Sequence, residues 1–195
     1  LALASYACHP VTYGRSTRVS ADYPGAVVRG LGRMGYQGIF LNGICGDVDP
    51  IINRTAWGTG TPETMEAYAG QILKEYGKHL VPMSLSEPMS CALVDIGMPL
   101  AHWGTADIDA VVAHIQQETG EVYDGSGYAL AAENWRRRLM AALDRGEAGM
   151  EHIQVQLMRL GRLLIVAVPY EAFTALGERI RSAFPDYEVW VLGNA

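Results

Sequence analysis

From His152 to Leu160 the chain reads HIQVQLMRL, with Ile153, Val155 and Leu157 facing one way and Gln154 and Gln156 the other. A period of two residues belongs to a half-buried strand. Gly161 and Arg162 fit a tight turn, and Leu163 to Val168, LLIVAV, is apolar throughout, as expected of a strand buried on both faces. The two strands read as a hairpin. A hairpin joins antiparallel neighbours, so the sheet that contains it is mixed or antiparallel.

Around the hairpin, strand and helix patterns alternate between Gly and Pro breaks. Leu1 to Cys8, Gly38 to Asn42, Ser90 to Leu100 and Glu188 to Gly193 read as strands. Val27, Val28, Leu31 and Met34 recur at helical spacing, although Gly25, Gly30 and Gly32 oppose a helix there. The clearest helix opens with Thr61 as N-cap and Pro62 in its first turn, and turns Met65, Ala69, Ile72, Leu73, Tyr76 and Leu80 to one face. Thr105 caps another, with Ile108, Val111, Val112 and Ile115 inward. A third carries Tyr128, Ala131, Trp135, Leu139 and Ala142 as core, and a fourth runs from Glu171 to Phe184. The class is α/β.

The chain has 195 residues, 49% hydrophobic and 18% charged, which suits one domain with a true core. Its net charge of −6 is scattered, and Arg136 to Arg138 form its one basic cluster, inside a helical pattern. Nucleic acid is not the expected partner. No apolar run reaches the roughly 18 residues that a membrane span needs. Three cysteines at wide spacing, Cys8, Cys45 and Cys91, fit neither a disulfide framework nor a metal knuckle. Free thiols favour a reducing compartment such as the cytoplasm. The first residue is Leu1, and the chain opens directly in strand-like sequence, as a piece of a longer chain would.

Chemistry-bearing residues gather where strands end, the usual place for a site in layered α/β proteins. His9 follows the first strand, NGICGDVDP (42–50) follows another, and Pro169, Tyr170 and Glu171 follow LLIVAV. Taken singly, each has an ordinary reading. A single His is more often structural than a ligand, an Asp pair in a Gly-rich loop caps backbone N–H groups, Glu171 suits the positive end of a helix, and Cys45 reads as a buried thiol. His79 and His114 fall in helices, His102 in a loop and His152 at a strand start, all as surface or structural residues. GLGRMG (30–35) lacks the strand that should precede a phosphate loop.

The segments ACHPVTYG (7–14), VSADYPG (19–25), IFLNGICGDVDP (39–50) and LLIVAVPYEAFTALGERI (163–180), in that order, resemble the core of the neutral/alkaline non-lysosomal ceramidase family. The likeness spans about Tyr6 to Ile180, with no specific match between about Leu80 and Met150. It implies a layered sandwich, a mixed or antiparallel sheet flanked by helices, with residues 1–195 as the central part of a larger catalytic domain. The activity it implies is zinc-dependent amide hydrolysis, in ceramidases of the fatty amide of a sphingoid base. By motif, His9 and Glu171 stand at two of the metal ligands. The other two, a His and a Tyr, belong to segments before Leu1 and after Ala195, so these 195 residues alone should be weak or inactive. Asp22 and Gly46 stand beside the ligands as supporting residues, Asp22 as a partner for the His9 ring. A secreted or periplasmic location also follows from the likeness.

One departure bears on mechanism. Where the family's loop reads GDVSPN, with a Ser beside the metal, this chain reads GDVDPI and has Asp49. A serine route is thereby replaced by attack of a metal-activated water, with Asp49 or Asp47 as acid/base group. Two alternatives stay open: a non-catalytic domain that has lost the family Ser, and a metal-free thiol hydrolase using Cys45 and His9. The resemblance implies an N-acyl amide substrate, small or lipid, with another amide or an ester equally compatible.

Overall fold

The computed structural model describes residues 1–54, 56–84, 88–101, 103–119, 127–146 and 149–194; His102 lies outside them. Contacts divide the chain into two units, Leu1–Asp95 with Gln154–Ala195, and Ile96–Ile153. Among the described residues the architecture is mixed α/β: five α-helices, a two-stranded parallel sheet and a four-stranded mixed sheet.

In the first unit, β1 (Ala2–Tyr6) and β2 (Gly38–Asn42) pair in parallel, with Tyr6 opposite Asn42. A parallel pair needs a crossover, and α1 (Asp22–Arg33) supplies it. The buried face of α1, Tyr23, Ala26, Val27 and Leu31, packs with Ala4 and Cys8 and with Ala69 and Ile72 of α2 (Pro62–Tyr76). Three glycines in α1 cost helix propensity, about 1 kcal/mol each relative to Ala. Gly30 offsets its share by letting Leu73 pack where a Cβ would sit. At the start of α2, Thr61 Oγ1 accepts from Thr64 N–H at 3.3 Å and Thr64 Oγ1 accepts from Thr61 N–H at 2.6 Å. The helix stops at Tyr76. Leu80 and His79 therefore lie beyond it, and Leu80, expected on its inner face, is exposed.

The hairpin forms as the alternation predicts. β4 (Met150–Leu160) pairs antiparallel with β5 (Leu163–Ala167), and Gly161 turns between them at φ 55°. Ile153 and Val155 are buried, Gln154 and Gln156 exposed, and β5 is buried along its whole length. β6 (Glu188–Leu192) runs parallel to β5 after α5 (Thr174–Ala183), and the strand order is β3 (Met89–Pro99), β4, β5, β6. Gly43 bridges Leu192 and Ile44 N–H donates to Val191 O at 3.1 Å, while Leu3 and Leu41 pack on Leu163, Ile165, Ala167 and Leu192. The carboxyl ends of β1, β2, β5 and β6 thus meet in one place.

The second unit contains α3 (Thr105–Thr119) and α4 (Gly127–Asp144). Ile108, Val112, Ala129 and Ala132 are buried, and Trp103 meets Trp135 edge to face at 5.4 Å. Tyr128, expected in the core, is exposed because the buried line of α4 runs through Ala129 and Ala132. Thr105 is the first helical residue rather than the cap; Asp107 Oδ2 accepts from Gly104 N–H at 3.0 Å. Among the described residues no helix is long and apolar enough to cross a membrane.

Candidate active site

His9 lies three residues past β1, and its backbone is held on two sides. Tyr23 Oη–H donates to Cys8 O at 2.7 Å, and His9 N–H donates to Val48 O at 2.9 Å. The imidazole returns to the same carbonyl, with Nδ1 3.1 Å from Val48 O. A carbonyl only accepts, so Nδ1 carries the proton in the neutral ring and Nε2 keeps its lone pair. That lone pair faces Glu171, whose Oε1 is 3.5 Å from Nε2, while Asp49 Oδ1 is 3.6 Å from Nδ1. The ring stands between two carboxylates, and neither is at good hydrogen-bonding distance.

Glu171 owes its place to contacts made by its neighbours. Gly46 N–H donates to Ala172 O and Asn194 N–H to Tyr170 O, each at 3.0 Å. A Cβ on Gly46 would run into the Glu171 carbonyl oxygen, so the close approach of these two loops requires glycine there. Asp47 completes the clamp: Oδ1 accepts from Thr174 N–H and Oδ2 from the Thr174 hydroxyl, both at 2.8 Å. These bonds, the backbone one foremost, hold the Asp47 carboxyl below the usual Asp range. An N-cap borrowed from a distant loop also explains why α5 begins at Thr174. Glu171, expected at the start of that helix, lies in the loop before it.

Asp22 is buried and turned elsewhere. It accepts from the Thr12 hydroxyl, from Tyr13 N–H at 2.9 Å and from Tyr23 N–H at 2.7 Å, and its own backbone sits at φ 50°. It fixes the turn after His9 to the start of α1, and the partner of the His9 ring is the Val48 carbonyl instead. Cys45 is buried, with Asn42 Nδ2–H donating to its Sγ at 3.3 Å. Burial pushes its thiol up, the bond from Asn42 draws it part of the way back, and Glu171, Asp49 and Asp47 add smaller upward pushes.

A cavity of about 510 Å³ opens beside His9, lined by Val11, Val48, Asp47, Asp49 and the indole of Trp57. Trp57 is not among the residues that the sequence singles out for the site. Its one signal is a large aromatic isolated in AWGTGT (56–61), a Gly-rich stretch soon after GDVDP. Its six-membered ring lies over Gly14, where a Cβ would come within 2.8 Å of it.

Among the described residues no group of three or more His, Cys, Asp or Glu side chains is arranged to hold a metal ion. His9 and Glu171 nevertheless suit two positions of one shell. Donors bound at about 2.1 Å around a tetrahedral zinc lie about 3.4 Å from each other, close to the 3.5 Å between Nε2 and Oε1. The carbonyl on Nδ1 is the usual means of orienting a metal-ligating His. No protein-family model matches the chain, and no curated protein matches it.

Proposed function

We propose that the chain carries part of a zinc-dependent amidohydrolase site of the neutral-ceramidase kind. The observation that supports this is the His9–Glu171 pair: two donors from loops 162 positions apart, 3.5 Å from each other, with the His ring oriented from behind by Val48 O. His9 Nε2 and Glu171 Oε1 would hold the metal, and by the resemblance a His and a Tyr outside residues 1–195 complete the shell. Zinc held there would polarise an amide carbonyl and make a water acidic near pH 7.

The chain's own groups have distinct parts in this reading. Val48 O keeps Nδ1 protonated and so keeps Nε2 available. Of the two loop carboxylates that line the cavity, Asp49 is the one that faces His9, and it serves as the acid/base group that takes the proton of the attacking water and returns it to the leaving amine. Asp47, with both oxygens on Thr174, clamps the Glu171 loop. The finer fold that goes with this reading is the layered sandwich of the ceramidase catalytic domain. Burial of Cys45 with a raised thiol pKa weighs against a thiol nucleophile. Asp49 in place of the family Ser keeps a second reading, a non-catalytic binding domain, in view.

The test is metal content by mass spectrometry of the full-length protein, together with hydrolysis of a panel of N-acyl amides. About one zinc per chain in the parent, lost in both His9→Ala and Glu171→Gln, and turnover lost in Asp49→Asn with zinc retained, is the expected result. A folded parent that takes up no zinc when it is supplied would end the hydrolase reading. Zinc without turnover would favour the binding domain.

A further inference from the structure

The cavity beside His9 has an asymmetry that the hydrolytic reading does not use. Its charged lining is acidic, Asp47 and Asp49, with no Lys or Arg among the lining residues. Its largest side chain, Trp57, remains 48% exposed although the backbone around it is tightly clasped. Arg15 N–H donates to Gly58 O at 3.0 Å, Gly58 N–H donates to Asn53 Oδ1 at 3.2 Å and Asn53 Nδ2–H to Val11 O at 3.4 Å. Gly58 sits at φ 66° against Gly14, whose missing side chain leaves room for the indole. The ring is thus fixed in place with an open face, in a cavity whose volume is within the small-molecule range of about 300–1,000 Å³.

An exposed indole beside carboxylates attracts cations. The ring quadrupole favours a positive charge over its face, and a lining that carries Asp47 and Asp49 and, among the described residues, no Lys or Arg raises the local concentration of cations and lowers that of anions. Neutral alkyl chains would gain nothing from Asp47 and Asp49.

We propose that the open face of Trp57 is the seat of an ammonium group, and that the substrates of this site are N-acyl amides with a cationic amine arm. The word substrate rests on the hydrolase reading, whereas the ammonium seat rests on the cavity alone. The two are therefore separable by a binding measurement that needs no turnover.

The experiment is isothermal titration of the full-length protein with choline and with 3,3-dimethylbutan-1-ol, the isostere in which carbon replaces the charged nitrogen. Choline binds about tenfold more tightly than the isostere to the parent, Trp57→Leu loses about tenfold of the choline affinity, and Trp57→Phe, which keeps a ring over Gly14, stays within about threefold. Equal affinity for the two probes, no choline binding, or full choline affinity in Trp57→Leu would each overturn the proposal. Charge-selective binding in a protein that hydrolyses nothing would leave the seat standing and remove only the reaction. Hydrolysis with no preference between the probes would do the reverse.

Discussion

The loops around His9 and the α3–α4 pair both carry carboxylates, and they use them in opposite ways. Asp22 and Asp47 bond backbone N–H groups, Asp22 across the turn after His9 and Asp47 across 127 positions to Thr174. In α3–α4, Asp109 Oδ1 meets Arg136 Nε at 2.7 Å, but both side chains are partly in solvent, 49% and 34% exposed. A carboxylate bonded to backbone fixes where the chain goes, whereas an ion pair between two long side chains on a surface is mostly solvated. If this contrast is sound, removing charges around His9 should disturb the site itself, and removing charges from the helix pair should disturb nothing.

The largest effect should come from Asp22→Ala. The buried carboxylate serves the Thr12 hydroxyl, Tyr13 N–H and Tyr23 N–H, and its loss strands those donors. Unpaired buried donors cost about 1–3 kcal/mol each before relaxation, so a net loss of about 3 kcal/mol in urea unfolding is expected. Zinc uptake, if the metal reading is sound, should fall with it, because the turn after His9 would no longer be anchored. A loss below about 1 kcal/mol would mean that the turn holds without its carboxylate, and the contrast would lose its strongest member.

How much of this was legible follows the range over which each residue acts. The β4–β5 hairpin and the start of α2 were readable because alternation, a tight turn and a Thr-Pro cap are chemistry between near neighbours. That the candidate residues sit at strand ends was readable for the same reason. What those residues bond to was not. Asp47 shows nothing locally that points to Thr174, and the sequence puts the start of α5 at Glu171, three residues early, because its cap comes from another loop. Asp22 looked like a partner for His9, yet the carbonyl of Val48 takes that role, and a backbone group has no letter in a sequence. Trp57 could be found as an isolated aromatic, but its seat over Gly14 depends on how two loops meet. Spacing alone places Tyr128 in the core, whereas the small residues Ala129 and Ala132 are the ones buried in α4.

A smaller effect, visible only against pH, should follow from Asp47→Asn. The amide can still accept from Thr174 N–H, so the geometry survives and only the charge goes. Bonding to Thr174 holds the folded carboxyl below its unfolded value. The charge therefore stabilises the parent above the unfolded Asp pKa, about 3.9, and that advantage is lost as pH falls through the lower folded value. Melting curves of parent and variant should be separated by a constant gap above about pH 5 and converge at the acid end. A gap that persists unchanged into strong acid would show that shape, not charge, is what Asp47 contributes.

The smallest expected effect is the sharpest check on the other side of the contrast. Arg136 keeps its proton more firmly through the bond to Asp109, and that alone could be taken as a sign of a stabilising pair. Exposure argues otherwise: water and salt already satisfy both groups, and ordering two flexible side chains offsets the attraction between them. Asp109→Asn should leave the thermal midpoint unchanged, and raising the salt should leave parent and variant equally unmoved. A clear fall in the midpoint, with the gap between parent and variant closing as salt screens the pair in the parent, would place this ion pair among the groups that hold the backbone, and the distinction between the two regions would then rest on Asp22 and Asp47 being buried or bonded rather than on where they lie in the fold.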